Sequence, residues 1–266
     1  MEKEAEYDDS KGWAFRGQDT SKFPASSLER HCKSLNLSGN NVADLEVKLI
    51  REFARRYHLY AGRAPPEKGY TLEWLSLLRH YGTPTRLVDF TYSFFIAVYF
   101  ALEKEGEDAV VWAVNVTQLK KEADKCIASK LSEGQRLLKE YNKKRDGAPF
   151  RALFMRPNDR LRFVYPANPL RLNERLTIQQ GVFLAPGDVT ATFEENMEAL
   201  PNYSKCLKKF VIDSGCRHEI LRKLHELGIN RATLFPGLEG FAQSLYTKSL
   251  ILQRLLPQGV EMLEEV

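Results

Sequence analysis

The stretch that most constrains the fold is residues 86–116, where a dense apolar run lies between two strand-like segments. Residues 87–90 form a short apolar segment around Asp89. Residues 91–102 (TYSFFIAVYFAL) carry so many large apolar side chains that they predict a helix buried on most of its surface. Residues 108–116 (DAVVWAVNV) are typical of a central strand. The other elements must pack around this strand, buried helix and strand.

Hydrophobic spacing and turn residues predict the remaining elements. Further helices are expected over residues 42–60, 71–80, 214–227 and 241–255, and further strands over 161–166, 180–184, 207–212 and 232–235. Residues 117–145 are charged and helical in pattern, which predicts a surface insertion. The fold class is therefore α+β, with mixed or antiparallel strands and packed helices.

Composition indicates a globular chain with one large core or two modest ones, because 43% of its 266 residues are hydrophobic. The predicted organisation is a polar tail over residues 1–10, one domain over 11–255 with a charged helical insertion near 117–160, and a second tail over 256–266. A net charge of +4 is too small to indicate nucleic-acid binding by itself.

Metal and membrane classes find no support in the sequence. The four cysteines form no CxxC pair, and the five histidines form no HExxH or similar spacing. No apolar run approaches the ~18 residues of a membrane span, and the first ten residues lack the apolar core of a signal peptide. We expect a cytoplasmic protein with reduced thiols, no metal and no membrane partner.

Two motifs place polar groups beside glycines at the ends of apolar runs, as ligand sites do. The first is WAFRGQ at residues 13–18, where Arg16 offers a planar fork for phosphate or carboxylate and Gly17 would let a ligand approach the backbone. The second is RHYGTPTRLVDFT at residues 79–91. Together they form the candidate site.

Asp89 in the second motif has several interpretations. A carboxylate between apolar neighbours is costly to bury unpaired, so it could pair with Arg86 or Arg79, cap the following helix, or act in catalysis. His80 is typical of a helix-end histidine, with acid–base catalysis as the alternative. Gln180 lies before a predicted strand, where a neutral amide can bind a ligand but cannot act as a base.

Four segments in this order resemble the FRG domain, a bacterial and phage-associated family named for its Phe/Tyr-Arg-Gly signature. They are FRGQ at 15–18, LLRHYGTPTRLVDFTYSFFIAVYFAL at 77–102, RLTIQQGVF at 175–183 and GINRATLFPGLEG at 228–240. The resemblance extends over about residues 13–245, and residues 117–160 are the least similar part.

The FRG layout is in turn similar to that of ADP-ribosyltransferases of the Arg-Ser-Glu type, which implies that fold and NAD as substrate. By this similarity Arg16 holds the NAD phosphate or ribose, and residues 89–91 lie where the Ser-Thr-Ser strand lies. Residues 179–181 take the place of the catalytic glutamate, which is absent. Asp89 or Glu174 would then supply the negative charge, and Gln180 would bind the ribose hydroxyls.

The expected catalytic residues are Asp89, Arg16 and Gln180. The residues expected to hold NAD are Phe15, Arg16, Gly17, Gln18, His80, Thr85, Arg86 and Thr91. The leading hypothesis is an NAD-utilising ADP-ribosyltransferase or NAD glycohydrolase, acting on a protein, a nucleic acid or water as a toxin or antiphage effector. The alternative is a non-catalytic nucleotide-sensing or protein-interaction domain. A nuclease using His80 and Asp89 ranks last, because no carboxylate cluster for a metal is present.

Overall fold

The computed structural model describes residues 12–62, 64–104 and 109–252. The two predicted tails, 1–10 and 256–266, lie outside this range, as does Asp108 at the start of a predicted strand. In the described part of the chain, the architecture is α+β, as the sequence predicts.

A six-stranded antiparallel sheet organises the described residues, in the order β4-β5-β2-β1-β3-β6. The strands are β1 (Trp13–Gln18), β2 (Val88–Thr91), β3 (Ala109–Asn115), β4 (Val164–Ala167), β5 (Gly181–Pro186) and β6 (Leu207–Ile212). In the central pairs, Arg16 lies opposite Trp112 and Phe15 lies opposite Thr91. The FRG motif is therefore on an interior strand, and both of its neighbours fix its register.

Twelve α-helices pack around the sheet in the described ranges. They are α1 (Ser27–Ser34), α2 (Asn40–Tyr60), α3 (Thr71–His80), α4 (Phe94–Leu102), α5 (Val116–Lys130), α6 (Gly134–Lys144), α7 (Ala148–Phe154), α8 (Glu174–Ile178), α9 (Phe193–Glu198), α10 (Arg217–Glu226), α11 (Arg231–Leu234) and α12 (Leu238–Leu252). None of the helices described here is both long and apolar enough to cross a membrane.

Helix α4 is the buried helix that the sequence predicts, and its two ends are fixed by side chains. The Ser93 hydroxyl accepts a hydrogen bond from the Ile96 amide at the N-terminus. At the C-terminus the Arg217 guanidinium donates to the carbonyls of Leu102 and Glu103 at 2.8 and 3.1 Å. The polar backbone ends of this apolar helix are thus satisfied within the protein.

The apolar side chains form two main cores on opposite faces of the central strands. On β1, Ala14 joins the larger core and Phe15 packs against the smaller one; on β3, Val114 and Val111 divide in the same way. The smaller core is built mainly by α4, α10 and α11. This arrangement holds α4 against the face of β1 that carries Phe15 and Gly17, and Arg16 is on the other face with Ala14.

The charged segment after β3 is helical as predicted, but it is not peripheral. Helices α5 to α7 supply much of the larger core, through Leu119, Ala123, Cys126, Ile127, Leu137, Leu138, Tyr141, Phe150, Leu153 and Phe154. Their lysines and glutamates occupy the outer faces. The sequence interpretation gave too much weight to these charges and too little to the apolar stripe between them.

One predicted strand is wrong. Residues 232–235 are not extended, because Asn230 caps a short helix, α11, and exchanges hydrogen bonds with Thr233. The run ATLF is too short for its periodicity to distinguish a strand from a buried helical turn. This helix matters for the site, because it carries Arg231.

Candidate functional site

A cleft of about 600 Å³ opens where the C-terminal part of β1 meets β2, the end of α4, α8 and α11. Its walls carry six cationic side chains, Arg16, Arg30, Arg79, Lys104, Arg175 and Arg231, and three carboxylates, Asp19, Asp89 and Glu103. The walls therefore have an excess of three positive charges. A concave surface of this size and charge suits an anionic small molecule.

Arg16 lies at the centre of this cleft and is held by its own neighbours. Its Nη1 donates to the carbonyl oxygen of Asp89 at 2.8 Å, and its Nε donates to Gln18 Oε1 at 3.4 Å. Gln18 in turn donates to the carbonyls of Thr20 and Lys22, which fixes the loop after β1. The guanidinium is thus oriented before any ligand arrives.

Asp89 pairs with Arg79, one of the alternatives that the sequence left open, and not with Arg86. Arg79 donates to Asp89 Oδ2 through Nε at 2.9 Å and also through Nη2, and Arg16 Nη1 lies 3.9 Å from the same oxygen. Burial raises the pKa of Asp89, but Arg79, Arg16 and Arg175 outweigh it and bring the pKa below its ordinary value. Asp89 is therefore ionised at neutral pH, with its side chain 38% exposed.

The arginines on the Arg16 side of the cleft lie close enough to affect one another's pKa. Burial, with a smaller contribution from Arg79 and Arg30, lowers the pKa of Arg16 to about 10, although Asp89 acts in the opposite direction. Burial and Arg79 also lower the pKa of Arg30. Holding like charges together in a partly buried cleft is unfavourable, so an anion placed among them would relieve the repulsion.

Another wall of the cleft is built by α8 and α11. The guanidinium groups of Arg175 and Arg231 lie over the ring of Phe235, with Cζ 4.2 and 4.3 Å from its centroid. Arg231 also forms an ion pair with Glu103 at the end of α4.

Gln179, not Gln180, faces the cleft. Gln180 is exposed, has a left-handed backbone (φ 47°), and accepts a hydrogen bond from the Tyr92 amide through its carbonyl. Gln179 lines the cleft, but its amide donates to Leu234 O at 3.0 Å. The Thr91 hydroxyl donates to Gln179 O at 2.6 Å, which commits it to the backbone.

Gly17 has a packing role that the sequence interpretation missed. A Cβ at this position would lie 1.7 Å from Ala97 O and 2.6 Å from Ala101 N, both backbone atoms of α4. The absent side chain thus makes room for the helix, not for a ligand. Phe15 packs edge-on against Phe94 at 5.4 Å while also lining the cleft.

Thr85 and Arg86, predicted to line the pocket, lie in the core. Arg86 is 1% exposed, and it donates to both carboxylate oxygens of the equally buried Glu46 and to the carbonyls of Phe154 and Pro186. The Thr85 backbone bonds with the side chain of Ser27 at the start of α1. These residues tie α1 and α2 to the sheet.

His80 lies at the end of α3, outside the main cleft. It lines a small cavity of about 170 Å³ together with Arg79, Asp89 and Arg175, and a larger one that adjoins the cleft. Its ring packs edge-on against Tyr81 at 4.8 Å. The histidine therefore shares a cavity with the Asp89–Arg79 pair but does not line the cleft that contains Arg16.

Several cleft residues were not among the predicted site residues: Arg30, Phe100, Glu103, Arg175, Arg231 and Phe235. The signal that could have found some of them is their place in the family-like segments, which include RLTIQQGVF and GINRATLFPGLEG. Among the described residues, no three His, Cys, Asp or Glu side chains are grouped to hold a metal.

Comparison with known families bears on the half of the cleft that contains Arg16 and Asp89. A family model, the FRG domain, matches residues 11–109. Residues 11–109 are thus similar to the FRG domain. The matched FRG segment includes β1, α1 to α4 and β2, but not the wall formed by Arg175, Arg231 and Phe235. Searches among curated proteins and among solved structures found no match.

Proposed function

We propose that the FRG cleft binds NAD or a related nucleotide through its phosphates. The observation that carries this proposal is the convergence of five arginines from five separate elements on one cleft of about 600 Å³. Guanidinium groups are the side chains best suited to phosphate, because their planar forks donate paired, charge-assisted hydrogen bonds. A volume of 600 Å³ is in the range of small-molecule sites.

The cleft also offers apolar surface for the rest of such a ligand. Phe100 and Phe235 line it beside the arginines, and their ring centroids are 6.0 Å apart in an edge-to-face arrangement. Aromatic side chains next to cationic groups are the usual partners of a base and its phosphates. The combination supports a nucleotide over a simple inorganic anion.

Substituting Arg16 with alanine should weaken NAD binding by about 10- to 100-fold, because a charge-assisted hydrogen bond contributes roughly 1.5–3 kcal/mol. Isothermal titration calorimetry with NAD measures this effect. Arg16→Lys should recover only part of the affinity, since lysine keeps the charge but loses the fork.

The matched control for this prediction is Arg136→Ala. Arg136 is an exposed arginine on α6, paired with Glu133 and Glu140, and it is outside the cleft. It should bind NAD like the unaltered protein. Unchanged NAD affinity in a folded Arg16→Ala protein would remove the basis of the proposal.

A second candidate function, cleavage of the nicotinamide–ribose bond of NAD, is favoured by the ionised Asp89 carboxylate in the cleft. A negative charge there could stabilise the oxocarbenium-like transition state, after which ADP-ribose passes to water or to a macromolecule. Against it, Arg79 and Arg16 already neutralise this carboxylate. Binding without turnover is therefore the function that the geometry supports better.

Asp89→Asn separates the two functions by the sign of its effect. If the cleft only binds phosphate, removing the negative charge of Asp89 from its lining should tighten NAD binding by about 3- to 10-fold. If Asp89 acts in catalysis, nicotinamide release should fall at least ~100-fold. Mass spectrometry of nicotinamide and of labelled lysate components, alongside calorimetry, measures both.

Either function suits a cytoplasmic protein, since NAD and related nucleotides are cytoplasmic solutes. An active transferase with a protein or nucleic-acid target would act as a toxin or antiphage effector. A binding-only domain would act as a nucleotide sensor. Label transfer in the lysate experiment distinguishes these roles, because a sensor transfers nothing.

A further inference from the structure

The wall formed by Arg175, Arg231 and Phe235 brings further positive charge to the cleft, from other elements than those that carry Arg16, Arg30 and Arg79. Both guanidinium groups pack over the Phe235 ring. Stacking of this kind uses the flat face of a guanidinium and leaves its N–H groups, which lie in the plane, available to an acceptor. The ring thus orients two guanidinium groups and leaves their N–H groups available to donate hydrogen bonds.

Most of these donors have no acceptor among the described residues. The Arg175 side chain makes no hydrogen bond or ion pair among the described residues, and its guanidinium packs on the Phe235 ring. Arg231 uses Nη1 to reach Glu103, but its Nε is buried without a hydrogen-bond partner. Glu103 therefore pairs with Arg231, and the Arg175 guanidinium keeps its donors for an acceptor that a ligand can supply.

The wall lies between the cleft and a neighbouring cavity. Arg175, Arg231 and Phe235 line both the cleft and an adjoining cavity of about 630 Å³. That second cavity also contains the carboxylates of Glu174 and Glu239. A long polyanion passing beyond the wall would meet these like charges, so the anionic part of a ligand is expected to end at the wall.

We propose that this wall is a second anion subsite, which takes a phosphate monoester on the ribose of a nucleotide whose 5′ phosphates lie at Arg16. This inference rests on the proposed function and names the ligand class more narrowly. A phosphate monoester carries nearly two negative charges at neutral pH and three acceptor oxygens, which matches two guanidinium groups. The preferred ligand is NADP-like or a nucleoside 3′,5′-bisphosphate.

Two ligand pairs test the subsite with the full chain by calorimetry at fixed salt. NADP is compared with NAD, and adenosine 3′,5′-bisphosphate with AMP. In at least one pair the extra phosphate should tighten binding about tenfold or more and steepen the salt dependence of affinity. Equal affinities within both pairs would overturn the subsite while leaving NAD binding, and the proposed function, intact.

Arg175→Gln tests whether the gain in affinity from the extra phosphate comes from the wall. Because Arg175 also lines the cleft that holds the first phosphates, the variant should lose some affinity for NAD and AMP, but it should lose about tenfold more for the doubly phosphorylated ligand. Arg175→Lys should keep part of the preference, and Arg136→Ala all of it. Equal losses for both members of a pair would contradict a separate subsite, because Arg175 would then serve the first phosphates.

Failure of the proposed function would give a different binding result from failure of the subsite alone. If neither NAD nor AMP binds, and adding the second phosphate does not produce binding, both proposals fall together. Thermal unfolding of each variant shows that it is folded, so a loss of affinity cannot be attributed to a collapsed wall.

Discussion

Glu46→Ala should lower the free energy of unfolding by about 3–5 kcal/mol, the largest loss expected from any single change discussed for this protein. Glu46 and Arg86 are each 1% exposed, and the carboxylate accepts from the Arg86 side chain and from its backbone amide at 3.2 Å. Removing the carboxylate leaves a buried guanidinium without its counter-charge. The loss is therefore the cost of an isolated charge, not the strength of the pair.

Glu52→Ala on the same helix is the matched control. Glu52 pairs with Arg55 and Arg56, but its side chain is 47% exposed, so its loss should cost less than about 1 kcal/mol. Urea denaturation of both variants, followed by circular dichroism, compares them. Similar midpoints for the two variants would contradict the structural role given to Glu46.

Gly17→Ala should destabilise the protein by about 3 kcal/mol or more, at the upper end of what overpacking costs. The new methyl group would lie at the backbone of α4, 1.7 Å from Ala97 O, and no flexible side chain is there to move away. Relief requires shifting α4 away from β1, which would disturb the smaller core that α4 builds and that Phe15 of β1 packs against. Ligand affinity should fall only as far as the fold is lost.

Gly62→Ala controls for the loss of glycine itself. A Cβ at Gly62 meets nothing within 4 Å, so the change should stay within about 0.5 kcal/mol. If Gly17→Ala is as stable as Gly62→Ala but loses NAD affinity, then Gly17 serves the ligand, as the sequence interpretation held. Loss of stability in Gly17→Ala alone supports the packing role.

Much of the fold could be predicted from the sequence because its central elements have strong local signals. The run FFIAVYFAL is apolar on all sides, and AVVWAV is apolar and β-rich, so α4 and β3 were clear. The place of α5 to α7 was not, because their apolar stripes are set among many charges. The helical turn at Arg231 was missed because it depends on a cap at Asn230.

The site was only half predictable. The two motifs identified Arg16 and Asp89, and the structure brings them together on neighbouring strands, with Arg16 Nη1 bonded to Asp89 O. The other cleft arginines, Arg175 and Arg231, come from short helices far along the chain. No local pattern shows that such residues converge, because convergence is a property of the tertiary fold. Arg86 was misassigned for the same reason, since its sequence neighbours do not reveal Glu46.

The sheet order has a consequence for a chain that contains only the segment matched by the family model. In the sheet, β1 pairs with β3 and β2 pairs with β5, yet the matched segment stops at residue 109, where β3 begins. A fragment ending there would expose two unpaired strand edges and the surface that α5 to α7 cover. A chain cut at that boundary is therefore expected to aggregate through the exposed strand edges.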